Sequence, residues 1–313
     1  MFYFKKKKYS QIIAEAENLA DNHEFEEAVE KYNEAFKIMV NVVDYIALGY
    51  VYMDLKDYDS AANVFNDLVE KSHGDERFVP YMDEIYYGLG LCYDHLNNIE
   101  EALQNYEKAI EYNPKNPDLY TNCGMIYEEI DENKANLAYE YYKKAIEIDP
   151  SYLPAYSCLA WYTSKHEKYE EALEYNFKIL ELVKDDVFDV YYNIGVAYDN
   201  LGNIEMAEHY YLESIKSEHP QCFAYYNLGI IYKNKKEYEK SKLYYLKAIE
   251  CKEDYYDAWY NLACVHSLSN DINNAIECLK YLKYKNREYL EDSLKDQEFK
   301  NIINDERYKE LFI

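Results

Sequence analysis

Apolar and small residues recur along this 313-residue chain at helical spacing, and the pattern itself repeats. Seven strings align without gaps: Tyr45-Ile-Ala-Leu-Gly49, Tyr86-Tyr-Gly-Leu-Gly90, Tyr120-Thr-Asn-Cys-Gly124, Tyr156-Ser-Cys-Leu-Ala160, Tyr191-Tyr-Asn-Ile-Gly195, Tyr225-Tyr-Asn-Leu-Gly229 and Trp259-Tyr-Asn-Leu-Ala263. Their last residues lie 41, 34, 36, 35, 34 and 34 positions apart. Twelve residues beyond most of them stands a second small residue, at Ala61, Ala102, Ala172, Ala207, Ser241 and Ala275. After Gly124 the corresponding residue is Ala138, displaced by a two-residue insertion within 131–136. Within one unit, positions 4, 7, 8 and 11 (Tyr225, Leu228, Gly229, Tyr232) and positions 20, 24, 27 and 28 (Ser241, Tyr245, Ala248, Ile249) each mark one helix face. Small residues at 8 and 20 allow two helices to cross closely, with aromatics at 11 and 24 beside the crossing. A lone unit cannot bury both faces, whereas stacked units can.

These strings and their period resemble the tetratricopeptide repeat, a 34-residue helix-turn-helix unit. In that register, repeats one to eight begin near Tyr9, Val42, Asp83, Pro117, Leu153, Phe188, Cys222 and Tyr256, and the resemblance covers 9–289. The first unit lacks the glycine but keeps Ala16, Ala28, Tyr32 and Ala35. The family's closing proline appears as Pro114 and Pro150, and shifted by one as Pro220. The resemblance implies an all-α fold, a right-handed α-solenoid of about eight repeats. Residues 1–8, with Lys5 to Lys8, are expected to form a basic, frayed arm, and 290–313 to form short capping helices over the last repeat. Seven extra residues, Glu76 to Met82, precede repeat three, and with Pro80 in its first turn they are expected to lengthen the following helix.

Composition narrows the function. Sixty acidic against 34 basic residues give a formal charge of −26, which argues against a nucleic-acid partner. Glycine is scarce at 8 residues, and no phosphate-binding loop is present. The 41 tyrosines fall mainly on core positions of the repeat. The seven cysteines form no C-x-x-C pair, and reduced, buried thiols in the cytosol are expected. No signal-peptide core or apolar span is visible, so a cytoplasmic protein without membrane contact is expected. The seven histidines are scattered, and neither a catalytic constellation nor a metal or cofactor motif emerges. A non-enzymatic protein is expected.

In the resembled family the first helix of each unit lines the concave side. Position 6, on one strip with 2, 9 and 13, carries Asn122, Asn193, Asn227 and Asn261. The resemblance implies that asparagines here hydrogen-bond the backbone of an extended peptide. Tyr192, Tyr226 and Tyr260 at position 5, with Phe223, Val196 and Ile230 nearby, offer side-chain pockets and make repeats six to eight the best-equipped stretch. Positions 2, 12 and 13 carry Asp21, Asp54, Glu84, Asp94, Asp118, Glu128, Glu129, Asp189, Asp199 and Asp257 against Lys165 and Lys233. This face is expected to be acidic, most densely in repeats three and four, and to favour a basic or neutral protein or peptide. No unit carries the basic residues of the family's carboxylate clamp. The expected function is a scaffold or adaptor; a peptide-responsive regulatory receptor and a self-associating structural protein, a homo-oligomer, are the alternatives.

Overall fold

A computed structural model describes residues 2–130, 135–185, 187–217 and 221–313, and these are helical with no strand. Pro220 and most of the 131–136 insertion lie outside the described residues. Two compact units, 1–159 and 160–313, divide the chain within one helix.

The first unit contains the helix pairs α1 (Phe2–Asp21) and α2 (Phe25–Phe36), α3 (Val42–Asp54) and α4 (Tyr58–Ser72), α5 (Met82–His95) and α6 (Ile99–Tyr112), and α7 (Pro117–Ile130) and α8 (Ala135–Ile148), followed by the start of α9 (Leu153–Lys165). The second unit continues with α10 (Tyr169–Leu182), α11 (Phe188–Asn200), α12 (Ile204–Ser214), α13 (Cys222–Asn234), α14 (Tyr238–Cys251), α15 (Tyr256–Leu268) and α16 (Ile272–Lys285), then the short α17 (Arg287–Asp292) and α18 (Glu306–Glu310). The α-solenoid expectation holds: each helix pair corresponds to one sequence unit.

Two register positions explain the pairing. At position 8 the glycine backbone lies against the position-24 ring, so an added Cβ would meet Tyr106 at 2.4 Å from Gly90 and Tyr245 at 2.5 Å from Gly229. The aromatic therefore packs onto the glycine itself. Position-20 residues from Ala28 to Ala275 are fully buried beside this contact, and Ser241 Oγ donates to the Gly229 carbonyl at 2.7 Å.

Position 15 ends the first helix in left-handed conformation, with φ between 57° and 75° at His23, Lys56, Asn97, Glu167, Gly202, Lys236 and Asn270. The next amide bonds back to the carbonyl of position 11, as from Glu237 to Tyr232 at 2.9 Å, closing a Schellman motif. Only Gly202 is a glycine, so at this position the chain carries side chains that resist the left-handed region.

Three expectations are corrected. Residues 2–8 are the opening turns of α1, so the lysine run sits on a helix and does not form a separate arm. Glu76–Tyr81 forms its own 3₁₀ turn with Phe78 buried, and α5 begins only at Met82; Pro80 has no amide hydrogen to extend an α-helix through it. Cys222 and Cys251 are joined in a disulfide between the start of α13 and the end of α14, because the closing ends of one helix pair bring their Cα atoms within 5.5 Å. Cys92, Cys123, Cys264 and Cys278 are buried free thiols.

After α16, Leu290, Phe299, Ile302, Tyr308 and Leu311 are buried in one core with Leu262, Cys264, Val265 and Leu279 of the last pair. The apolar face that another repeat would cover is thus closed by the chain's own C-terminus.

Candidate functional site

Three of the four asparagine positions face a tyrosine of the preceding unit. Asn261 Nδ2 donates to the Tyr226 hydroxyl at 3.1 Å, one repeat earlier. Asn227 lies beside Tyr192, and Asn122 beside Tyr87, each close enough to counter part of the burial that raises the tyrosine pKa. The rule is position 6 of one unit to position 5 of the unit before it. Asn193 follows Ser157 instead of a tyrosine; it is exposed and makes no hydrogen bond to a described residue. Burial raises the pKa of these tyrosines, with Tyr226 pushed up to about 12, so they stay neutral and can accept the amide's hydrogen bond.

In the last repeat the C-terminal segment lies over the first helix. Tyr260 donates to Asp296 at 2.8 Å, Lys233 pairs with Glu298 at 3.0 Å, and Ser267 donates to the Glu298 carbonyl at 2.7 Å. Asn261 also accepts from Lys233 at 3.0 Å. The expected open surface on repeat eight is therefore occupied by the chain itself. Cys264, Asp296 and Glu298 bring possible ligand atoms within 4.8 Å of one another. Burial raises the Cys264 thiol pKa strongly, and the Lys233 ammonium already neutralises Glu298, a combination that disfavours a metal cation.

Several expected groove acids have partners too. At position 2, Asp118 accepts from Tyr152, Asp189 from Gln221 at 2.6 Å and Asp257 from Tyr289 at 2.7 Å. Each donor immediately precedes the next unit, or the place where a ninth unit would begin. Glu128 accepts from Tyr142 at 3.2 Å.

A different set of acids forms no ion pair. On α5, Asp94 is half-buried and Glu84 exposed, and neither they nor Glu129 on α7 forms an ion pair with a described residue. Burial raises the carboxyl pKa of both Glu84 and Asp94; the neighbouring charge of Asp83 adds to it at Glu84, and that of Glu129 at Asp94. Asp199 in the second unit is also raised by burial.

Sequence reasoning missed the tyrosine–asparagine pairings, although their signal was present: three of the four asparagines follow a unit carrying tyrosine at position 5. It also missed tyrosine at position 23. There Tyr141, Tyr210 and Tyr244 pack against the rings at positions 4 and 11, with Tyr232 and Tyr244 nearly parallel at 5.3 Å. No described helix is long and apolar enough to cross a membrane.

Family models described as tetratricopeptide repeat match residues 45–70, 117–152, 188–218 and 224–255, and a second such model matches 141–174 and 244–277. A model described as TPR repeat matches 95–131. The probable UDP-N-acetylglucosamine–peptide N-acetylglucosaminyltransferase SPINDLY of Solanum lycopersicum is 39% identical over 77 residues, 25% of this chain and 8% of that protein. The BBSome complex member BBS4 of Bos taurus is 24% identical over 174 residues, 55% of this chain and 31% of the relative. Regulatory protein RapD of Bacillus subtilis is 26% identical over 169 residues, 47% of this chain and 46% of the relative. The matches thus span less than half of each of these relatives. Among solved structures, pilF of Pseudomonas aeruginosa aligns with TM-score 0.58 at 19% identity, covering 70% of this chain and 99% of its own. A tetratricopeptide repeat protein from Parabacteroides merdae aligns with TM-score 0.54 at 18% identity, covering 82% and 98%.

Proposed function

Because this chain belongs to the tetratricopeptide repeat family, we propose that it is a non-enzymatic scaffold holding a basic or neutral peptide segment of a partner against the first-helix face of residues 83–129. The repeats form a protein-interaction scaffold. The choice of surface rests on one observation: the half-buried Asp94 and the neighbouring Glu84 of the same helix are carboxylates whose pKa partial desolvation raises, with no ion pair to either. Desolvated charges beside like charges cost folding free energy, and a cationic ligand relieves that cost. Asn261 is less available, since it would have to leave Tyr226 to meet a peptide.

The test is selection from a displayed random-peptide library on the full chain, beside the variant Glu84→Gln, Asp94→Asn, Glu129→Gln. The reading requires Lys- and Arg-rich peptides to be enriched by the native chain and not by the variant, and to bind more weakly as salt rises. Enrichment of the same peptides by both proteins refutes this choice of surface.

A further inference from the structure

A cleft of about 660 Å³ opens where α6, α7 and α8 meet. Its walls combine the rings of Tyr120 and Tyr141 with the carboxylates of Glu107, Glu111, Glu140 and Glu147. Ile110 and Leu137 supply apolar lining, and Lys144 is the basic residue among the described lining groups. Tyr120 and Tyr127 occupy positions 4 and 11 of repeat four, a different stripe of α7 from the acids at positions 2, 12 and 13. The rings are tied together: Tyr141 lies 6.1 Å from Tyr120 and 5.2 Å from Tyr127 between centroids, and the Tyr127 hydroxyl donates to Glu107 at 3.1 Å.

The chain itself shows what this arrangement of rings takes. In repeat seven the equivalent rings are Tyr225, Tyr232 and Tyr244. Lys247 stands 5.5 Å from the Tyr225 centroid, and Lys240 stands 4.9 Å from that of Tyr232. In repeat three Lys108, at the same register position as Lys247, stands 5.2 Å from Tyr86. Repeat four departs from this. Lys144 is the residue at that position, but its ammonium pairs with Glu147 at 3.0 Å, and no described lysine stands over Tyr120, Tyr127 or Tyr141. The site therefore keeps the aromatic faces and has more carboxylates around them, while the internal cation is turned aside.

We propose that this cleft is a second binding site, separate from the first-helix face, and that it takes a lysine side chain of a partner protein. The alkyl stem would lie along Ile110 and Leu137. The ammonium would meet the tyrosine faces and the glutamates, combining cation–π attraction with charge pairing. Lysine suits the site better than a small inorganic cation because half of the lining is ring and hydrocarbon.

The experiment titrates the full chain with N-acetyl-lysine methylamide, followed by NMR, with the norleucine analogue as the uncharged isostere. The lysine probe binds and the norleucine probe does not. The double variant Glu140→Gln, Glu147→Gln, whose side chains are exposed, weakens binding about fivefold or more. Lys144→Met removes the internal competitor and tightens it. Tyr120→Leu weakens it in a variant shown by thermal melting to be folded; should that variant not fold, the glutamate pair decides. Glu26→Gln, Glu27→Gln, an equal loss of charge in repeat one, leaves binding unchanged. Equal binding of norleucine, or equal weakening by the repeat-one pair, overturns the proposal by reducing the effect to bulk negative charge.

Discussion

The side-chain amide of Asn261 reaches back one repeat to the hydroxyl of Tyr226, and Asn193, at the same register position, has no such tyrosine before it. The two asparagines therefore separate the helix-propensity effect of an alanine substitution from the loss of a hydrogen bond. Asn193→Ala gains helix propensity and is neutral or stabilising by up to about 0.6 kcal/mol. Asn261→Ala loses a bond worth about 0.5–1.5 kcal/mol and is less stable than Asn193→Ala by roughly that amount. Urea denaturation of the two variants measures the difference, and indistinguishable midpoints would show that the inter-repeat bond contributes nothing.

A glycine within a helix is ordinarily improved by alanine, by about 1 kcal/mol. At Gly90 and Gly229 the opposite is expected. The added methyl would meet the Tyr106 or Tyr245 ring well inside contact distance, and both rings are fully buried with nowhere to retreat. Overpacking of this kind costs about 1–3 kcal/mol. A lowered thermal midpoint in Gly229→Ala confirms it, and a raised midpoint would mean that the ring yields.

Position 15 carries the reverse prediction. Lys56, Glu167 and Lys236 hold positive φ, where a side chain costs about 1–2 kcal/mol that glycine does not incur. Allowing for the greater freedom of glycine in the unfolded chain, each single change to glycine stabilises by about 0.5–1 kcal/mol. Equilibrium unfolding of Lys236→Gly checks this, since Lys236 is exposed and its removal leaves no cavity.

The raised carboxyl pKa values of Glu84 and Asp94 fix the sign of a pH effect. A carboxyl group whose folded pKa exceeds its unfolded value favours the folded state when protonated, and that contribution is lost as pH rises through the folded pKa. Glu84→Gln and Asp94→Asn therefore raise the melting temperature near pH 7. The gain shrinks as pH falls toward about 4, where the native carboxyls are themselves protonated. At the alkaline end, Tyr32 and Tyr45, each pushed up to about 12 with burial the largest cause, stabilise the fold below about pH 10, and this contribution is lost as pH rises from there through about 12. Melting curves across pH, and tyrosinate absorbance in the alkaline range, report the two effects.

The disulfide between Cys222 and Cys251 closes a loop of sequence separation 29. Chain-entropy reasoning gives about 3–4 kcal/mol for a loop of that length. Reductant should lower the unfolding midpoint of the native protein and leave Cys222→Ala, Cys251→Ala unaffected. A native midpoint indifferent to reductant would mean that the two thiols are not joined in solution.

Sequence alone determined the repeat, its register and the all-α architecture. Gly90, Gly124, Gly195 and Gly229 with aromatics sixteen or eighteen residues on are a local code, repeated often enough to be read without knowing what each ring touches. The periodicity also placed Leu290, Phe299, Ile302, Tyr308 and Leu311 beyond the last unit as groups in need of a surface to cover. What it could not decide were pairings between units and the partners of polar atoms. Periodicity assigns a side chain to a face and is silent about what stands opposite. Asn261 and Tyr226 share a face in any stacked array, but only the inter-helix spacing turns them from two groups open to a ligand into a bonded pair. The acids at position 2 likewise share the groove face by periodicity, yet Tyr152, Gln221 and Tyr289 donate to Asp118, Asp189 and Asp257. Cys222 and Cys251 lie at opposite ends of one helix pair, and their separation gave no hint that the antiparallel return brings the ends together. Helical faces follow from local periodicity, whereas partners follow from distances between segments far apart in the chain, and tertiary packing alone sets those distances.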